Sequence, residues 1–102
     1  MPTFVRAATA TEIPAGSGRC VDVQGAQVAV FNVGGTFLAI ANTCPHRGGP
    51  LAEGDLSGTV VTCPWHGFQY DVRTGQSADG KPFQLQTYPV RVTDGAIEIG
   101  VA

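Results

Sequence analysis

Two short stretches of this chain carry side chains that hold soft metals: Cys44-Pro45-His46 and, after sixteen intervening residues at 47–62, Cys63-Pro64-Trp65-His66. Thiolate and imidazole suit either zinc or iron–sulfur chemistry, and two of each completes either coordination set. The ligand count by itself leaves the metal open. The neighbouring residues narrow it. A bridged diiron–disulfide cluster is clasped by ligands from two separate loops, with backbone amides directed at sulfur. Gly48, Gly49 and Gly67 leave the backbone free to approach, and Pro45 and Pro64 stiffen each loop directly after its cysteine. A zinc knuckle commonly adds a helix behind its second ligand pair, and no helical periodicity follows His66.

With Cys-x-His, sixteen residues and Cys-x-x-His on two Pro/Gly loops, the chain resembles the Rieske family of [2Fe-2S] proteins. The resemblance implies one [2Fe-2S] cluster, with Cys44 and Cys63 as ligands of one iron and His46 and His66 as ligands of the other. It also marks departures from the respiratory-complex type. The extra cysteine pair that staples the two loops there is matched here by Gly49 and Trp65, so no such disulfide can form. The hydroxyl that donates to a bridging sulfur is replaced by Phe68, whereas the tyrosine two residues further on is matched by Tyr70. Fewer hydrogen bonds to sulfur stabilise the reduced state less, which places the expected potential near the low end, about −150 mV, of the Rieske range. Two neutral imidazoles in place of thiolates still keep it above an all-cysteine cluster. The free ring nitrogen on each histidine predicts a potential that falls as pH becomes alkaline.

Breaker-bounded β patterns with no helical periodicity predict an all-β chain. Strands are expected at 3–7, 19–23, 27–33, 36–41, 59–62, 68–72, 86–93 and 96–101, with turns at Gln24-Gly25, Gly34-Gly35, 73–75 and Asp94-Gly95. The two ligand loops then project from hairpin-like strands. The family's fold, an antiparallel β-sandwich with a small cluster-binding subdomain formed by two loops, agrees with this order. One Rieske domain over 1–102 is expected, its cluster-binding subdomain at about 42–72. In the family a third, proline-bearing loop shields the cluster, and Gly80-Lys81-Pro82-Phe83 is its counterpart.

The 102 residues are 43% hydrophobic and 14% charged, which suits one small core. Net charge is −2 with six scattered basic residues, so no nucleic-acid footprint is present. No apolar run approaches eighteen residues and the N-terminal segment has no signal-peptide pattern, which predicts no membrane and a cytoplasmic location. The third cysteine, Cys20, lies in the alternation Arg19-Cys20-Val21-Asp22-Val23 and is expected to be a buried free thiol packing as a small hydrophobe.

Only two histidines are present, both taken by the cluster, so neither a mononuclear oxygen-activating iron nor a histidine-based catalytic triad is available. What remains is electron transfer without catalysis. The resemblance implies a soluble Rieske ferredoxin. It would pass single electrons from an NAD(P)H-dependent, flavin-containing ferredoxin reductase to a terminal oxygenase of the aromatic-ring hydroxylating dioxygenase type. The small subunit of an assimilatory nitrite reductase, the ferredoxin of a diiron monooxygenase and a zinc-stabilised interaction module are the alternatives. Transient docking is expected near His46, His66, Arg47 and Trp65, with the apolar tips Pro45, Pro50 and Pro64 around the exit edge. For Trp65 and Arg47, packing within the loops and contact with a partner both stay open. The acids Glu53 and Asp55 follow the first loop, and docking face and solvated surface both stay open for them.

Overall fold

The structure, a computed structural model, describes residues 3–44, 48–65 and 67–101. Its strands are β1 (Thr3–Thr9), β2 (Gly18–Val23), β3 (Ala26–Val33), β4 (Thr36–Ala41), β5 (Asp55–Ser57), β6 (Val60–Thr62), β7 (Gln69–Asp71), β8 (Thr87–Tyr88), β9 (Val90–Thr93) and β10 (Ala96–Val101). Single 3₁₀ turns occur at Ala10–Glu12 and Leu51–Glu53, and no α-helix occurs among the described residues. The strands form three antiparallel sheets, ordered β1-β10-β9, β2-β3-β4-β8 and β5-β6-β7.

The β2-β3-β4-β8 sheet is the middle layer. Val21 and Val23 of β2, Val28 and Val30 of β3, and Ala39 of β4 turn to one side and bury against Ile97 and Ile99 of β10. Ala29 and Phe31 of β3 and Ile40 of β4 turn to the other side, where they meet Leu51, Val61, Tyr70, Val72 and the two cysteines Cys44 and Cys63. Side chains alternate along a strand, so a strand covered on both faces must be apolar at successive positions. The run Val28-Ala29-Val30-Phe31, completely buried, meets that requirement.

The hairpin turns match the sequence expectation. At Asp94-Gly95 both residues have positive φ, +52° and +78°, the geometry that lets a two-residue turn follow the twist of its strands. Three expectations need correction. The 86–93 strand is two strands: β8 pairs with β4, whereas β9 pairs with β10, so the chain changes sheets at Pro89, which has no N–H to continue a ladder. The short strand β5, paired with β6, was absent from the pattern, since three residues give too short an alternation to read.

Cys20 is the third correction. It is exposed, not buried. Val21 and Val23 face the core, so the two-residue period turns Cys20 and Asp22 to the opposite face at the edge of the middle sheet.

Candidate metal centre

Each of the two cysteines sits at the mouth of a loop whose backbone closes on it. The first loop leaves the end of β4. Buried Asn42 accepts the Ala52 N–H on its side-chain oxygen at 2.9 Å, and its carbonyl accepts the Leu51 N–H at 2.8 Å, fastening the loop to the 3₁₀ turn at Leu51–Glu53. Thr43 bridges Pro50 across the base. Cys44 N–H then donates to the Gly49 carbonyl at 2.9 Å, and the Cys44 carbonyl accepts the Gly48 N–H at 2.7 Å. The second loop caps the β6–β7 hairpin, where Cys63 N–H donates to the Phe68 carbonyl at 2.7 Å. Ladder registry thus carries directly into both loops.

The two thiols meet between the loops, at 1% and 2% exposure. Tyr70, fully buried on β7, places its hydroxyl 3.3 Å from Cys44 Sγ. The backbone N–H of Trp65 hydrogen-bonds the Cys63 sulfur. Burial pushes the Cys63 thiol up; the Trp65 amide pulls it down, and the neighbouring Cys44 pushes it up again. Burial, followed by the hydrogen bond to Cys44, also pushes the Tyr70 phenol up, so the hydroxyl stays protonated and can donate to a thiolate.

Gly49 supplies close approach. A Cβ built there would lie 2.6 Å from Cys63 Sγ and 3.2 Å from Cβ and Cγ of Trp65. The positions that carry the loop staple in respiratory-type relatives are therefore in direct contact here, a glycine backbone against an indole. Gly48 and Gly67 serve differently, each adopting positive φ, +77° and +74°. Pro50 lies at the loop base, half-buried, not at a tip as expected. Trp65 is both packed and presented, 49% exposed although its root rests on Gly49, and Pro64 beside it is exposed.

The segment expected as a third loop packs against Phe68 of the second loop. Phe83 stacks on Phe68 with ring centroids 5.9 Å apart, and Lys81 Nζ stands 4.6 Å from the centre of the Phe68 ring. Sequence reading missed the part played by Asn42 and by Asp79, which gathers this loop. An asparagine at a strand end and an Asp-Gly pair were the available signals.

His46, His66, Arg47 and Pro45 lie outside the described residues. Among the described residues no third Cys, His, Asp or Glu joins Cys44 and Cys63 in a metal-binding group. Two buried thiols brought together from two loops, amide and hydroxyl donors aimed at sulfur, and a backbone approach that a Cβ would block fit the thiolate half of an iron–sulfur site.

Comparison with known proteins agrees. Residues 3–89 match the family model described as the Rieske [2Fe-2S] domain. The chain is 38% identical over 92 residues to the biphenyl dioxygenase ferredoxin subunit of Pseudomonas sp. (strain KKS102), spanning 88% of this chain and 84% of that one. In the solved complex of reduced oxygenase and oxidized ferredoxin in carbazole 1,9a-dioxygenase, one chain superposes with a TM-score of 0.88 at 33% identity, covering 98% of this chain and 94% of that chain. A putative NADH-dependent nitrite reductase small subunit from Mycobacterium tuberculosis gives a TM-score of 0.91 over 100% of this chain and 97% of that one. At 24% identity it shows a common fold alone.

Proposed function

Because this chain belongs to the Rieske [2Fe-2S] domain family, we propose that it is a ferredoxin of an aromatic-ring hydroxylating dioxygenase system, carrying single electrons from a flavin-containing, NAD(P)H-dependent ferredoxin reductase to a terminal oxygenase. The [2Fe-2S] cluster that the family implies supplies one-electron storage. Cys44 and Cys63 would hold one iron and His46 and His66 the other, within a cluster-binding subdomain at about 42–72 of a single domain. The observation that carries this reading is the buried Cys44–Cys63 pair with the Tyr70 hydroxyl on the first sulfur.

The chain's own residues exclude water from the thiols and place donors on them. Leu51, Val61 and Tyr70 close the inner side, and Trp65 and Pro64 offer an exposed apolar edge for a small, quickly released contact. A cytoplasmic location belongs to the same reading; among the described residues no helix is long and apolar enough to cross a membrane. That the biphenyl and carbazole relatives belong to dioxygenase systems supports the dioxygenase assignment over the nitrite reductase alternative, which has a shared fold behind it.

The test is a visible spectrum and low-temperature EPR before and after dithionite. A red-brown protein that bleaches and gives a rhombic signal with average g below that of all-cysteine clusters is the expected result. A colourless protein containing zinc would overturn the reading. Reduction by a flavin reductase and reoxidation by a ring-hydroxylating oxygenase then test the partners.

A further inference from the structure

A cation stands beside the candidate centre without a part in ligand binding. Within residues 77–83 the Ser77 hydroxyl donates to Asp79 Oδ1 at 2.7 Å, and Lys81 N–H donates to Ser77 Oγ at 3.0 Å. Lys81 Nζ donates to Asp79 Oδ2 at 3.2 Å, and the same oxygen accepts the Gln69 N–H at 3.3 Å. Ala78 N–H donates to the Gln69 carbonyl at 2.9 Å, tying the segment to β7. The outcome is a lysine held in place: its ammonium lies over the ring of Phe68, 4.6 Å from the centroid. Phe68 packs on the core containing Cys44 and Cys63, and its carbonyl holds the Cys63 N–H. Phe68 therefore touches both the ammonium and the core that contains the thiols.

We propose that Lys81, positioned over Phe68 by Asp79, is a fixed charge that raises the reduction potential of the centre. The proposal rests on the [2Fe-2S] reading. Reduction adds one electron from the donor protein and no proton from Lys81, so the reduced centre is one charge more negative and a nearby cation favours it. The Lys81 side chain is 39% exposed, so water screens part of its field and the remainder depends on salt. Asp79 carries the opposite charge, which makes the two contributions separable: losing Lys81 alone leaves an unbalanced carboxylate, and losing both leaves neither.

The experiment is a spectroelectrochemical titration of the holoprotein at low and high salt. Lys81→Met should titrate at a lower potential than the parent protein, with the gap narrowing as salt rises; Lys81→Arg should stay at the parent value. Asp79→Asn combined with Lys81→Met should shift back toward the parent. A Lys81→Met potential equal to the parent's at low salt overturns the proposal. So does a double variant that falls below Lys81→Met, because a loosened loop and not a lost charge would then be the cause. Absence of any reducible chromophore in the parent protein is a different result: it removes the ferredoxin reading itself, and the proposal with it.

Discussion

The backbone of Gly49 lies directly against Cys63, so that a Cβ at position 49 would stand 2.6 Å from the sulfur. Real Cβ atoms do not approach that closely, and Cβ and Cγ of Trp65, on the same loop as Cys63, would stand 3.2 Å away as well. Gly49→Ala must therefore push the second loop away from the first. Overpacking of this kind costs about 1–3 kcal/mol. The expected result is reduced iron and sulfide content per chain after identical reconstitution, with a lower Tm; full cluster loading with unchanged Tm would show that the loops separate freely.

The Tyr70 hydroxyl lies 3.3 Å from Cys44 Sγ in a fully buried position, where it donates once the sulfur is a thiolate. A donor to sulfur stabilises the more negative, reduced state. Tyr70→Phe keeps the packing and removes the hydroxyl, and a net hydrogen bond of about 0.5–1.5 kcal/mol corresponds to a potential lower by about 20–60 mV for a one-electron couple. Direct titration of the variant against the parent measures it.

Cys20 shares no sheet face with Val21 and Val23 and is separated from the thiol pair by its exposure at the edge of the middle sheet. Cys20→Ser should leave the visible spectrum, the EPR signal and the potential unchanged. Burial of part of the side chain, with Asp22 and Glu53 nearby, pushes this thiol up, so alkylation near neutral pH should be slow despite its exposure. Loss of colour in Cys20→Ser would break the ligand assignment.

Asp71 accepts the Arg73 N–H at 2.9 Å and its guanidinium at 3.2 and 2.9 Å, and these hydrogen bonds hold the carboxyl below its ordinary range. A carboxyl depressed in the folded chain stabilises it above the unfolded value, near pH 4, and that contribution is lost as pH falls through the folded value. Asp71→Asn keeps an acceptor for the turn but not the charge. It should lower stability near pH 7 by about 0.5–1 kcal/mol, and the difference from the parent should narrow in acid, as read from urea unfolding at pH 7 and pH 3.

Much of the architecture is local chemistry and was legible in the residues alone. Two-residue turns at Gln24-Gly25, Gly34-Gly35 and Asp94-Gly95 define their hairpins because few residue pairs accept positive φ at both positions. The strands Thr36–Ala41 and Ala96–Val101 begin and end where the patterns do. The pairs Cys44-x-His46 and Cys63-x-x-His66 carry the resemblance to the Rieske family, and that resemblance implies the cofactor.

Long-range packing decided the rest. Nothing in Gln86-Thr87-Tyr88-Pro89-Val90 says that its two halves join different sheets; that depends on β4, distant in sequence, offering its open edge to Thr87-Tyr88, while Val90–Thr93 pairs with β10 through the Asp94-Gly95 turn. The apolar alternation around Cys20 suits either face of a strand, and the choice fell to Val21 and Val23 once Ile97 and Ile99 stood opposite them. The contacts of Gly49 with Cys63, Tyr70 with Cys44 and Lys81 with Phe68 join residues from different loops and strands. Residue type at short range specifies the candidate ligands and the turns, because both depend on neighbours within a few positions. What surrounds the sulfurs follows from packing, because the donors, charges and close approaches there come from segments far apart along the chain.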